Sequence, residues 1–305
     1  MAGLATLDPK AALRKGRGVH HKGERPRSAV SDPAWMKALV LTLSFGFMAL
    51  FFVLPVVLIF REAFAKGWEA FRESFNDPAT AHAIGLTLKV ALIAVPLNTA
   101  FGLAAAWCAA FFRFRGRGFF NTLIELPLWV SPVVAGLIYV MLFGRQGLLG
   151  PLLMEHDIKI IFALPGIVLS TIFVTFPFVA RVVTPQLEAL GRKEEEAALT
   201  LGAGGWSTFW RITVPKAKWS LLYGIILCNA RSMGEFGAVS VVSGHIRNRT
   251  NTLPLHIEVL YNDYQTVPAF AAASVLVLLA LLTLLLKTLI SWRADRALRL
   301  AAGME

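Results

Sequence analysis

Arg231 and Glu235 stand four residues apart inside a long apolar run. On a helix that spacing places both side chains on one face. A charge at membrane depth costs about 2.5–3.5 kcal/mol on insertion scales, so such residues turn toward a bundle interior or a pathway. Two roles fit the pair. It can neutralise itself and hold helices together. Alternatively, Arg231 lines a route for an anion while Glu235 prevents tight trapping, because conduction requires release. Gly234 and Gly237 beside them allow close helix contact. Pro127 and Pro132 interrupt another apolar run, where they either kink a packed helix or help to form a gate.

The remaining reactive side chains argue against an enzyme. Cys108 and Cys228 lie far apart within apolar segments. A disulfide scaffold uses more cysteines in a shorter chain, and a metal site uses closely spaced ligands. Both therefore read as small buried hydrophobes, and no metal site is expected. His256-Ile257-Glu258 looks superficially like the H-x-E of zinc deaminases, but the companion P-C-x-x-C is absent. Neither H-E-x-x-H nor a nucleophile with its base occurs within the apolar segments. The phosphate-binding G-x-x-x-x-G-K-[ST] is also missing, so no cofactor is expected on this chain.

The elements that carry these residues are membrane helices. Apolar residues make up 56% of the chain and charged residues 16%, where a soluble domain carries about a quarter charged. A span needs roughly 20 apolar residues. About six candidates occur, near 38–60, 84–111, 119–143, 161–184, 217–242 and 267–292. The third is interrupted by Pro127 and Pro132 and the fourth by Pro177, bends that suit helices packed in a bundle. The last, dense in Leu, Ala and Val, is expected to be the most lipid-exposed. Residues 1–36 are polar and basic and read as a disordered cytoplasmic tail, followed by a transmembrane domain over 37–300. The first apolar run is too long for a signal-peptide core and reads as an uncleaved span.

The net charge of +11 is set beside the spans, which favours a lipid bilayer over nucleic acid as the partner. Arg113, Arg115 and Arg117, the basic residues between Arg192 and Lys218, and those after Arg293 alternate with loops poorer in Lys and Arg. The bias puts both termini and the 185–216 loop in the cytoplasm.

That loop is the longest feature outside the spans, and its glycines and aromatics are not those of a disordered linker. Glu194, Glu195 and Glu196 suit the first turn of a short helix, where acids complement the dipole. Gly202, Gly204 and Gly205 break it. Ser207 is placed to cap a second short helix, which Pro215 ends. Trp206, Phe209 and Trp210 are expected to be exposed and able to anchor the knob in a partner's pocket. An ordinary amphipathic interfacial loop is the alternative.

In this loop Glu196-Ala197-Ala198, then Gly202-Ala203, then Phe209, Ile212 and Pro215 resemble the EAA loop of bacterial ABC importer permeases. The resemblance implies an all-α, type I (MetI-like) bundle whose 191–215 coupling loop docks on a separate ATP-binding subunit. Pro127–Gly136 and Asn229–His245 resemble the sulfate/thiosulfate permease branch, and Thr250–Tyr264 its W-type rather than T-type subunit. Molybdate permeases share Gly234-Glu235-Phe236-Gly237, so another oxyanion is the alternative. The implied partners are an ATP-binding dimer, a second permease subunit of the T type and a periplasmic sulfate-binding protein, in a bacterial inner membrane. An ion-coupled secondary transporter would show paired repeats with a broken helix in each half, and no repeat is visible.

Overall fold

The computed structural model describes residues 33–301, with side chains described as far as Arg293. Of the tail expected over 1–36, positions 1–32 lie outside the described residues, and helix begins already at Ala34. Every regular element among the described residues is helical.

Helix α1 spans Ala34–Ala63. It carries the boundary between two units, Met1–Leu54 and Pro55–Glu305. No residue of the described part of the first unit is buried, whereas the last helix has 22% of its apolar window covered. The expectation that the last span is the most exposed is thereby corrected. A π turn, Ala49–Val53, precedes Pro55, and Leu54 N–H bonds to the Ala49 carbonyl five residues back. A proline has no N–H and its ring crowds the carbonyl four residues earlier, so the wider turn relieves both problems.

The second unit begins with the short helix α2 (Gly67–Glu73) and the long α3 (Pro78–Phe111). Asp77 starts α3 by accepting from Ala79 N–H at 3.0 Å, with Pro78 in the first turn. Then follow α4 (Arg117–Trp129), α5 (Pro132–Phe143), α6 (Gly150–Glu155) and α7 (Leu164–Leu190). Next come the two short helices α8 (Lys193–Thr200) and α9, which runs from Gly205–Thr208 through a π turn at Phe209–Thr213 to Val214–Lys216. The chain ends with α10 (Lys218–Met233), α11 (Gly237–Ser243), α12 (Leu253–Asn262) and α13 (Thr266–Ala301).

Helices α1, α3, α7 and α13 are each long and apolar enough to cross a membrane. The third and fifth expected spans are broken. The α4–α5 pair bends by 104° and the α10–α11 pair by 50°, and counting each as one span gives six.

The centre of the second unit is the crossing of α3, α7 and α10. Val179 of α7 is wedged between two glycines. A Cβ on Gly102 would lie 2.8 Å from Val179 Cβ, and one on Gly224 would lie 3.2 Å from Val179 Cα. Without a hydrophobic drive between helices in lipid, small residues at such crossings set how closely backbones pack. Val179 is fully buried there with Val183, Leu187 and Cys228.

One turn away, at the Phe176–Pro177 junction within α7, side chains from two other helices converge on the backbone. Asn98 Nδ2 donates to Thr175 Oγ1 at 2.7 Å and to the Ile172 carbonyl at 3.3 Å. Cys228 Sγ lies 3.8 Å from the Thr175 carbonyl, the distance of a weak thiol donor. Cys228 is buried and free, as expected of a small core residue, and Cys108 is free and half-buried.

Helix α12 packs on α13 and α3 through Leu253, Leu260, Ala269 and Ala272. His256 has no exposed surface and shares a 3.0 Å hydrogen bond between its Nε2 and Thr80 Oγ1. Leu253 N–H donates to Thr87 Oγ1 at 2.8 Å.

Two predictions follow from this packing. Gly102→Val should cost about 1–3 kcal/mol by overpacking and lower the melting temperature of the detergent-solubilised protein, with Val179→Ala in the same chain recovering part of the loss. Burial holds His256 below its ordinary value of 6.5, Asp77 pulls it up and Arg247 pushes it further down. The folded state keeps it neutral while the unfolded chain protonates at about 6.5, so its contribution is present above that pH and is lost as pH falls below it. Melting temperatures measured between about pH 8 and about pH 5 should drop toward acid in the wild type and lose that component in His256→Asn.

Candidate functional site

The two broken spans meet at their breaks. A Cβ on Gly237, the first residue of α11, would touch Pro132 Cβ at 3.0 Å, and one on Gly136 of α5 would meet the Ala238 carbonyl at 2.7 Å. Pro132 opens α5 after the break at Val130–Ser131, while Pro127 is buried inside α4 two residues before its end. The structure thus brings Pro132 to the second break and leaves Pro127 in the preceding helix.

Glu235 occupies the linker between α10 and α11, and its side chain is 1% exposed. Its Oε1 accepts from Ala238 N–H at 2.9 Å, and its Oε2 lies 2.7 Å from Arg231 Nη1. The carboxylate satisfies a donor in the first turn of α11 and pins a guanidinium that is 34% exposed. The expectation of one shared helix face is corrected. α10 ends at Met233, and the pair closes across the break rather than along a continuous helix. Placed this way, Arg231 offers positive charge at the surface of the bundle, with its counter-ion buried behind it.

The second site is the 191–216 segment. Gly191 leaves α7 at φ +68°. Arg192 donates to the Phe111 and Ala110 carbonyls at the end of α3 and lies over the Phe111 ring at 5.3 Å. Glu194, Glu195 and Glu196 fill the first turn of α8. The helix ends in a Schellman cap, in which Gly202 N–H bonds to the Leu199 carbonyl and Ala203 N–H to the Ala198 carbonyl, both at 3.0 Å. Gly202 sits at φ +86°, where a side chain would strain the backbone, so the Gly202-Ala203 spacing is that of a helix stop.

The two short helices are clasped by a buried ion pair that pattern reading missed. Lys216 Nζ reaches Glu195 Oε2 at 3.3 Å and the Gly191 carbonyl at 3.1 Å, with side-chain exposures of 10% and 9% for the two partners. Thr213 Oγ1 donates to the other Glu195 oxygen at 3.4 Å. Glu195 is one of three identical acids, and only the fold singles out the one turned inward.

Three expectations for this segment are corrected. Ser207 does not cap α9, which follows Gly204 with no side-chain cap. Phe209 is buried rather than exposed, its ring 4.7 Å from Trp107 of α3. Pro215 lies within α9 rather than ending the segment, because the π turn ahead of it lets Val214 N–H bond to the Phe209 carbonyl. The exposed rim consists of Glu196 and Ala197 with Leu199, Leu201, Trp206 and Trp210. Ala198, Ala203 and Ile212 are half-buried. Lys89 of α3, Glu125 of α4 and Arg181 of α7 are further ionisable residues within apolar helices, all exposed. They belong to no motif, and a scan for charges inside the spans is the signal that finds them.

A helical bundle with two broken spans touching at their breaks, and a folded, aromatic-rimmed segment between spans, defines the class of polytopic membrane permeases. The chain belongs to the binding-protein-dependent transport system inner membrane component family, whose pattern it matches over residues 98–296. It is 51% identical over 258 residues to a sulfate transport system permease protein CysW of Synechocystis sp., covering 85% of this chain and 94% of that one. It is 48% identical to CysW of Escherichia coli K12, covering 86% and 90%. The sulfate transport system permease protein CysT of the same organism is 36% identical, covering 80% and 89%. In fold it resembles a bacterial ABC transporter involved in the import of the acidic polysaccharide alginate, with a TM-score of 0.71 at 17% identity over 86% of this chain and 96% of that one.

Lys216→Met would leave Glu195 buried without its partner, a change that costs about 3–5 kcal/mol in buried pairs. Amide exchange over 191–216 should rise sharply in this variant, and adding Glu195→Leu should restore part of the protection. Unchanged exchange in Lys216→Met would show that the clasp does not hold the two helices.

Proposed function

We propose that the chain is one membrane-spanning subunit of an ATP-driven importer of sulfate or thiosulfate, forming half of the translocation pore. The observation that carries this reading is the near-half identity to two CysW proteins along almost the whole chain. Its similarity to CysT supports a second, related permease subunit as the other half. A structural neighbour captured with a substrate-bound periplasmic protein supports a soluble binding protein as the third partner. The chain works without a cofactor of its own, and a separate ATP-binding dimer supplies the energy.

In this reading the 191–216 segment faces the cytoplasm, as the basic residues around it favour, and both termini share that side. The rim around Glu196, Ala197 and the exposed tryptophans seats in the ATP-binding partner, with Trp206 and Trp210 as anchors. The Schellman cap at Gly202-Ala203 and the Glu195–Lys216 clasp fix the shape of that rim. Arg231, held by Glu235 beside Pro132, lowers the barrier for a dianion at the level of the breaks.

The test is uptake of labelled sulfate by cells lacking this chain and by cells complemented with it, with thiosulfate, molybdate and selenate as competitors. Complementation should restore uptake, with competition by thiosulfate stronger than by molybdate. Restored molybdate uptake without sulfate uptake would overturn the substrate assignment. Glu196→Arg should abolish co-purification of the ATP-binding subunit, and Gly202→Asp should weaken it. An intact complex in both variants would refute the docking assignment.

A further inference from the structure

A polar seam runs between α4 and α7, starting at the ends of these helices nearest the 191–216 segment. Arg117, the first residue of α4, is paired with Glu188 of α7. One turn deeper come Asn121 and Thr184, both half-buried. Thr184 donates to its own helix, to the Ala180 carbonyl at 2.8 Å. Asn121 Oδ1 is buried with no hydrogen-bond partner among the described residues. One further turn on come Glu125 and Arg181, on either side of the contact that Ile124 makes with the Ala180 cluster. Both are exposed, and neither has a hydrogen bond or ion pair among the described residues.

The spacing separates this face from the lipid-like one. At about 100° per residue, Arg117, Asn121 and Glu125 share one side of α4. Phe119, Leu123 and Leu126, all exposed, occupy the opposite side. Hydrocarbon against this face would leave the Glu125 carboxylate and the Arg181 guanidinium, both exposed, without partners, which apolar surroundings penalise. Water or a hydrated ion satisfies both. The seam also leads somewhere: α4 ends four residues beyond Glu125 at Trp129, and the break that follows delivers Pro132 to Gly237 beside the Arg231–Glu235 pair.

We propose that the α4–α7 seam is the stretch of the oxyanion's route between the breaks and the 191–216 segment, with Arg181 as its cationic station and Glu125 as the group that keeps the anion from resting there. The proposal rests on the importer reading above. Arg181 attracts a small divalent oxyanion released from Arg231. The facing carboxylate raises the energy of the bound state, which conduction requires. The Arg117–Glu188 pair closes the end of the seam as a neutral gate.

The experiment uses the assembled importer carrying Cys108→Ala, to remove the half-exposed native thiol. Glu125→Cys in that background should react with an anionic, water-soluble thiosulfonate. In whole cells Arg181→Gln should lower maximal sulfate uptake about tenfold, equivalent to ~1.4 kcal/mol on the barrier, while Arg181→Lys keeps most of the rate. Labelling of Glu125→Cys by a lipid-soluble maleimide alone, or wild-type uptake in Arg181→Gln, would overturn the proposal. Should Arg181→Gln fail to assemble, the labelling result decides by itself. A wild-type importer that carries no sulfate would count against the substrate assignment, whereas the thiosulfonate reaction would still judge the seam.

Discussion

Hydrocarbon offers no hydrogen bonds, so every interruption of a membrane helix must be repaired by protein. That constraint bears on several polar side chains at the heart of the second unit. At the Phe176–Pro177 junction, Asn98 and Cys228 reach from α3 and α10 to the Ile172 and Thr175 carbonyls, the first of which also accepts from Phe176 N–H. At the end of α10, Glu235 takes up the Ala238 N–H that α11 leaves open. Where a proline alone would break the ladder, a π turn shifts the bonding, as before Pro55 and Pro215. The π turns act within their own helices, whereas Glu235 ties the end of α10 to α11 and so joins the two elements that the break separates.

The same constraint explains why charge is tolerated where it is. A buried carboxylate is costly alone and acceptable when it serves a backbone donor and a guanidinium together. Glu235 does both, and the glycine contacts at Gly136 and Gly237 bring Pro132 against Gly237, two residues further on. Glu195 solves the corresponding problem at the other site, shared between Lys216 and Thr213, with Lys216 also donating to the Gly191 carbonyl. In each case an acid beside a glycine-containing turn links two consecutive helices.

The fold was legible where physics is local. Apolar length located the candidate spans, four as single long helices and two as bent pairs, and the spacing of Gly202-Ala203 after Glu196-Ala197-Ala198 is the footprint of a helix stop whose hydrogen bonds the structure displays. The rest depends on approach between distant segments. Nothing near Phe209 in sequence says that Trp107 covers it, so an aromatic expected to face a partner proves to be core. The i, i+4 spacing of Arg231 and Glu235 was read as one helix face. Yet the same spacing closes across a break when the glutamate is drawn to cap the next helix. The angles at the breaks, 104° and 50°, are set by tertiary packing at Gly136 and Gly237, which composition does not encode.

Phe209 also bears on how the two sites are joined. It belongs to the same apolar cluster as Val179, Val183 and Leu187 of α7, Leu103 and Ala106 of α3, and Cys228 of α10. Arg192 grips the end of α3 from the other side of the segment. Close-packed interiors transmit displacement rather than absorb it. A force applied to the exposed rim therefore acts on all three central helices at once, through a ring that cannot move without them. Farther along α10 lies the linker holding Glu235, where the helix is broken and the carboxylate takes up the Ala238 N–H. In the proposed reading, a push at the segment is carried through this contact toward the linker beside Arg231, and Val179, held between Gly102 and Gly224, sits where the three helices cross.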